Sequence, residues 1–277
     1  MPHGWQLLDR PREFDAVRSA LTGAGSYGVV LVGDAGVGKT TLARSVTESL
    51  RSQVHWVAST ESSRSIPLGV FAHLVGGSSS RDATALLASA RESLVSQGNS
   101  IVGVDDAHLL DELSATLLHQ MAVDQTGRIL ATVRSGEPVP DAVTSLWKDG
   151  YLRRIELQPF TKQQSVQLVE SVIGGRLEGL SADLMWESSG GNPLFLRHLV
   201  EGSIDAGTLK RVDDVWQLRG PTAVPSGLVA LLESRTRPGR GRRAHRAQAA
   251  GAVRAARHRR PDRTRRRRRR RRREMRG

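Results

Sequence analysis

The run Gly33-Asp34-Ala35-Gly36-Val37-Gly38-Lys39-Thr40 constrains this chain more than any other stretch. It fits G-x-x-x-x-G-K-[ST] and lies between the apolar Gly28-Val29-Val30-Leu31-Val32 and Thr41-Leu42-Ala43-Arg44-Ser45-Val46. A short buried strand, a glycine-rich turn and then a helix is the order a phosphate cradle needs. Gly33, Gly36 and Gly38 leave the turn without bulk, so successive backbone N–H groups can wrap a triphosphate at the positive end of the helix dipole. Asp34, Ala35 and Val37 supply backbone to that cradle, and Thr41 completes the set that would touch the nucleotide. Lys39 reaches the outer phosphates, and the Thr40 hydroxyl is placed to ligand Mg²⁺. A glycine-rich turn with a chance lysine is the plainer alternative; it leaves the strand before and the helix after unexplained.

Ile101-Val102-Gly103-Val104-Asp105-Asp106 is an apolar strand ending in two carboxylates, the form of a Walker B element. Asp105 would hold Mg²⁺, directly or through a water, and Asp106 sits where a second acid orients the attacking water. Acidic pairs at strand ends are more often turns or caps, but the upstream cradle changes the odds. Aspartate is shorter than the glutamate usual for that task, so slow turnover is expected. Leu130-Ala131-Thr132-Val133-Arg134-Ser135-Gly136 delivers an arginine at a strand end, where Arg134 can sense a terminal phosphate. Its plain alternative is a surface arginine in a turn. Gly190-Gly191-Asn192-Pro193 opens a helix with Asn192 as cap and Pro193 at its first position, by itself a structural role. His108 has no partner at metal-site spacing and reads as structural.

Around these motifs, strands are expected at Tyr27–Val32, Gln53–Ala58, Ser100–Val104, Arg128–Val133 and Leu152–Leu157. Helices are expected at Pro11–Leu21, from the cradle to Arg51, at Ile66–Val75, Asp82–Val95, Leu109–Met121 and Pro140–Lys148. This alternation predicts an α/β fold: a mostly parallel five-stranded sheet with helices on both faces, its loops gathered at one edge. Beyond Pro159 the pattern turns helical, with Thr161–Ile173, Ser181–Glu187 and Asn192–Ile204, and then Leu209–Leu218 resembles a hairpin turning at Asp213-Asp214. Ser226–Ser234 begins another amphipathic helix.

The absence of cysteine excludes disulfides and thiolate metal sites. Met1–Glu13 has no apolar segment of a secretory signal, and no run approaches the ~20 apolar residues of a membrane span. A cytoplasmic protein without membrane contact is the expectation.

The ordered set of motifs resembles the ATPase domain of the STAND/AAA-like regulators, especially the large LuxR-type transcriptional regulators of actinobacteria. The resemblance runs over about residues 5–234. It is carried by Leu7-Leu8-Asp9-Arg10-Pro11-Arg12-Glu13, the cradle, Ile66-Pro67-Leu68-Gly69-Val70-Phe71-Ala72-His73-Leu74, the stretch Asp105–Asp111, Ala131–Glu137 and Gly191–Gly202. Where the family has glycine before the N-terminal arginine, this chain has Asp9. The resemblance implies a P-loop NTPase core over 1–158, a helical lid over 159–206 and the start of a winged-helix-like segment over 207–234. It implies an ATP/ADP switch with Mg²⁺ in which Arg10 and Pro193 flank the adenine, Arg134 reads the terminal phosphate, and Lys39 and Asp106 serve slow hydrolysis, with self-association on activation. An energetic machine such as an Orc-like loader would need fast turnover in an oligomer, and no distinct trans-acting arginine stands out.

Charge sets the C-terminus apart. Arg235–Gly277 holds 21 Arg, no Lys and two acidic residues, a net of +19; with +13 for the whole chain, residues 1–234 carry −6. One reading is a disordered polybasic arm that grips nucleic-acid phosphates non-specifically, with the ATPase as accessory. The other is an out-of-frame translation of a GC-rich gene, since Arg, Ala, Gly, Pro and His dominate while Ile, Leu and Phe vanish. Neither encodes the family's DNA-binding helix-turn-helix.

Overall fold

The computed structural model describes residues 10–23, 25, 27–50, 52–74, 82–96 and 100–219. All of these fall in the first of the two units into which the chain divides, Met1–Leu232. The expected features at Leu7–Asp9, Ser226–Ser234 and Arg235–Gly277 lie outside the described residues.

The first half alternates helix and strand: α1 (Pro11–Thr22), β1 (Gly28–Gly33), α2 (Lys39–Ser49), β2 (Val54–Ala58), α3 (Glu61–Arg64), α4 (Ala83–Val95), β3 (Ile101–Asp105), α5 (Glu112–Val123), β4 (Arg128–Arg134), α6 (Asp141–Lys148) and β5 (Arg153–Glu156). The strands form one parallel sheet in the order β2-β3-β4-β1-β5. All six residues of β1 are buried, as a central strand covered on both faces requires.

Period-two alternation sorts the core into two layers. Val30, Val32, Val102, Val104, Ile129, Ala131 and Val133 pack under α4, α5 and α6. Val29, Leu31, Ile101 and Leu130 pack under α1 and α2. The same alternation carries Asp105, Thr132 and Arg134 to the α2 face at the C-terminal edge of the sheet, in line with Ile101 and Leu130. On that face Gly103 makes room for Trp56: a Cβ there would lie 2.6 Å from the indole.

Two expected helices take a different form. The Ile66–Val75 helix is a 3₁₀ turn over Gly69–Leu74, preceded by the unforeseen α3. Pro67 restricts the backbone before it, and Leu68 takes a left-handed φ of 53°, its N–H donated to Asp111 Oδ1 at 3.0 Å. The Leu109–Met121 helix is interrupted at its start. Ala107–Leu109 is 3₁₀, and Asp111 caps α5 by accepting from the N–H groups of Leu113 and Ser114. Buried Asp111 thereby ties the 66–74 segment to the end of the Walker B stretch.

The second half is α7 (Lys162–Ile173), β6 (Arg176–Leu177), α8 (Gly179–Ser189), α9 (Pro193–Asp205), β7 (Leu209–Val212) and β8 (Val215–Leu218). Thr161 and Gln164 form a capping box on α7. The hairpin turns at Asp213-Asp214 as the sequence predicts, both residues at positive φ (47° and 65°), the conformation a two-residue turn needs. The two-residue β6, too short to leave a pattern in sequence, joins it as a third strand in the order β6-β8-β7. Leu209, Trp216 and Leu218 pack with Val169, Met185, Leu196 and Leu199, so the hairpin and helices α7, α8 and α9 share one core.

Candidate functional site

The C-terminal edge of the sheet is where the chain's chemistry collects. β1 runs into the P-loop, and the loop closes onto α2 through Gly38, at φ 98°. β1 and β4 are in parallel register with Gly33 opposite Arg134, and the Ser135 N–H donates to the Gly33 carbonyl at 3.1 Å. Sheet pairing therefore brings Arg134 to the root of the loop.

Across the cleft, β3 ends in Asp105. Its Oδ1 accepts from the Thr40 hydroxyl at 2.8 Å and the Thr132 hydroxyl at 2.6 Å. Thr132 in turn accepts the Asp106 N–H at 2.9 Å. Fully buried in β4, Thr132 orients both members of the acidic pair. It stands inside the Ala131–Glu137 stretch but has no role in the sequence reading; a lone hydroxyl in the otherwise apolar run Ile129–Val133 is the signal that marks it.

Asp106 takes a left-handed conformation, φ 53° and ψ 48°, with its Oδ1 3.8 Å from His108 Nδ1. His108 is 2 % exposed, and its Nδ1 has no hydrogen-bond partner. Burial holds that imidazole's pKa below the ordinary range, with Asp106 the main opposing charge. The Lys39 ammonium is likewise held below the ordinary lysine range by burial, against the pull of Asp106, while Arg134 adds to the depression and Asp105 and Asp34 oppose it. Lys39, Arg134 and the acidic pair thus share one electrostatic neighbourhood.

Each main-chain carbonyl from Gly33 to Val37 has a donor. Lys39 Nζ donates to Gly33 at 2.9 Å and Asp34 at 3.0 Å. Asn192 Nδ2 donates to Ala35 at 2.8 Å, the Leu194 N–H to Gly36 at 3.3 Å, and Arg10 Nη2 to Val37 at 3.2 Å. Arg10, 7 % exposed, also donates to the Gln158 carbonyl at 2.9 Å and lies over the Phe160 ring at 4.4 Å, with Glu13 at 3.6 Å. Burial lowers the Arg10 pKa, and Glu13 opposes that shift. Arg10 and the N-terminus of α9 therefore both stand against the loop, with Pro193 as the first residue of α9 next to the capping Asn192. Thr41, exposed, lies in the first turn of α2.

The residues present fit a magnesium-bound triphosphate. Among the described residues no group of three or more His, Cys, Asp or Glu can hold a metal by itself. One carboxylate and one hydroxyl do meet here, a set that suits Mg²⁺ completed by phosphate oxygens and water. Arg134 Nε is buried with no hydrogen-bond partner, and the side chain's Glu137 contact is long, at 4.0 Å. An anion would satisfy that donor.

Residues 24–138 match the AAA domain family model. Among solved structures, a variant of RuvB from Thermotoga maritima aligns with a TM-score of 0.51 at 15% identity, over 80% of this chain and 67% of that one. The ORC1 protein of Aeropyrum pernix, in complex with DNA, aligns with a TM-score of 0.51 at 19% identity, over 84% of this chain and 66% of that one. No curated protein matches the sequence. Residues 24–138 are thus similar to an AAA domain, and the parallel five-stranded sheet with its glycine-rich loop leading into α2 is the α/β fold of a P-loop NTPase.

Proposed function

We propose that this chain is a cytoplasmic ATP- and Mg²⁺-dependent conformational switch, slow at hydrolysis, of the kind found in the large LuxR-type transcriptional regulators, and that it self-associates on activation. The observation that carries the reading is the convergence of Thr40 and Thr132 on Asp105 Oδ1, at 2.8 and 2.6 Å, beside the P-loop. Thr40 and Asp105 would hold Mg²⁺, which when bound neutralises phosphate charge and polarises the terminal phosphoryl group. Lys39 exchanges its contacts with the Gly33 and Asp34 carbonyls for phosphate oxygens. Arg134 supplies a guanidinium for the terminal phosphate, and the loop N–H groups bind the remaining oxygens. Asp106 orients water; its short side chain and partial exposure suit a timer better than a fast engine. Arg10 and Pro193, together at the lid side of the loop, flank the adenine. Contact with nucleic acid is left to the Arg-rich 235–277 segment and is non-specific.

Nucleotide titration tests this reading. Lys39→Ala should abolish Mg-ATP binding by removing the buried phosphate-facing charge, and unchanged affinity would defeat the assignment.

A further inference from the structure

Asn192 meets the requirements of a helix cap. Its Oδ1 accepts from the N–H groups of Leu194 and Phe195, at 3.1 and 3.4 Å. That arrangement settles the orientation of the amide, because reversing it would set the NH₂ against two N–H donors. The NH₂ group is therefore the end that faces the Ala35 carbonyl, 2.8 Å away and 157 positions earlier in the chain. Asn192 is 2 % exposed, so this bond is sheltered from water. Packing around it is close. A Cβ on Gly36, which sits at φ 79°, would lie 2.8 Å from Asn192 Oδ1 and 2.9 Å from Leu194 Cβ.

In a trans peptide the C=O and the following N–H point in opposite directions. Pinning the Ala35 carbonyl against the lid therefore turns the Gly36 N–H away from it. The bond from Arg10 to Val37 does the same for the plane that carries the Gly38 N–H; in the plane between, the Leu194 N–H holds the Gly36 carbonyl while the Val37 N–H donates to the Asp34 carbonyl at 3.4 Å. These planes belong to the loop whose N–H groups would wrap phosphate. Two of the three pins come from the N-cap and the second residue of α9.

We propose that Asn192 is a positioning residue for nucleotide binding: its side-chain amide holds the P-loop in the anion-accepting conformation and couples occupancy of the cradle to the seating of the lid. The inference rests on the nucleotide-switch reading and deepens it. A nucleotide that needs the loop in this form favours the docked lid, and a lid pulled away loosens the loop by the same free energy.

Asn192→Asp separates the two jobs of this side chain. Aspartate caps as well as asparagine and keeps both acceptor bonds, but it has no donor for Ala35 and sets a carboxylate against that carbonyl. Asn192→Ala loses both jobs. Thermal unfolding and titration with a fluorescent ATP analogue plus Mg²⁺, on the full chain, give the comparison. The expected result is that both variants lose thermal stability, and that Asn192→Asp, although it keeps the cap, loses nucleotide affinity about tenfold, as far as Asn192→Ala. Asn192→Asp binding within about twofold of wild type, with only the alanine variant impaired, would overturn the proposal and leave a plain cap. If the aspartate variant fails to fold, Asn192→Ser caps without the charge and takes its place under the same two criteria. A wild-type chain that binds no nucleotide would instead refute the switch reading itself, a distinguishable result.

Discussion

On one wall of the cleft, Asp105 takes its hydroxyl partners from residues that the sheet and its first helix bring alongside: Thr132 on the neighbouring strand, Thr40 at the start of α2. On the other, the P-loop takes donors from Arg10, 27 positions before Val37, and from Asn192, 157 positions after Ala35. The first wall is held by strand register, so it persists as long as the sheet does. The second is held by contacts between separate parts of the fold, none of which is part of the sheet's own pairing. In the proposed switch, the first wall is the fixed one and the second the conditional one.

The comparison breaks hardest at Arg10. Arg10→Ala removes a buried guanidinium, leaves the Val37 and Gln158 carbonyls without that donor and uncovers Phe160, so it should cost about 3 kcal/mol in denaturant unfolding. Arg10→Lys should recover little, because an ammonium cannot lie flat on the ring while serving two carbonyls. A loss below about 1 kcal/mol would mean that the conditional wall does not depend on this residue.

Thr132→Val probes the fixed wall with almost no change in shape. It takes one donor from Asp105 and strands the Asp106 N–H, for an expected loss of about 1–3 kcal/mol. Because the sheet still places Asp105, nucleotide affinity should fall less than turnover, which depends on how Asp106 is held. A raised KM with kcat unchanged would place Thr132 in binding instead.

The smallest expected effect is a pH slope at His108, beside Asp106. Burial lowers its folded pKa, so the unfolded chain takes up the proton more readily than the folded one. Stability from this group is complete above the ordinary histidine value of about 6.5 and is lost as pH falls through the lowered folded value. Asp106 moderates the loss. His108→Asn should flatten the slope in a pH series of unfolding curves, and an identical slope in both proteins would show that another group sets it.

Much of the fold was legible because its signals are local. Apolar runs marked β1, β3 and β4, and the strands expected at Gln53–Ala58 and Leu152–Leu157 coincide with β2 and β5. Pro193 after Asn192 marked the start of α9, and Asp213-Asp214 marked the hairpin turn. The misses have physical causes. Ile66–Val75 has a helical pattern, but Pro67 and the Asp111 carboxylate that receives the Leu68 N–H impose a tighter turn. The two-residue β6 exists because β8 lies beside it, with Arg176 paired to Val215. Asn192 was readable as a cap from its neighbours, while its hold on Ala35 depends on a fold that returns the chain to the cradle.

By itself the amino-acid sequence determined the cradle, the acidic strand end and the arginine opposite, since each is set by the residues next to it along the chain. Only the tertiary structure decided which groups orient them: Thr132 under Asp105, Arg10 and Asn192 on the loop carbonyls. Hydrogen bonds between distant residues leave no periodicity in a sequence, and they depend on the hydrophobic layers that hold the strands in register and α9 against the loop.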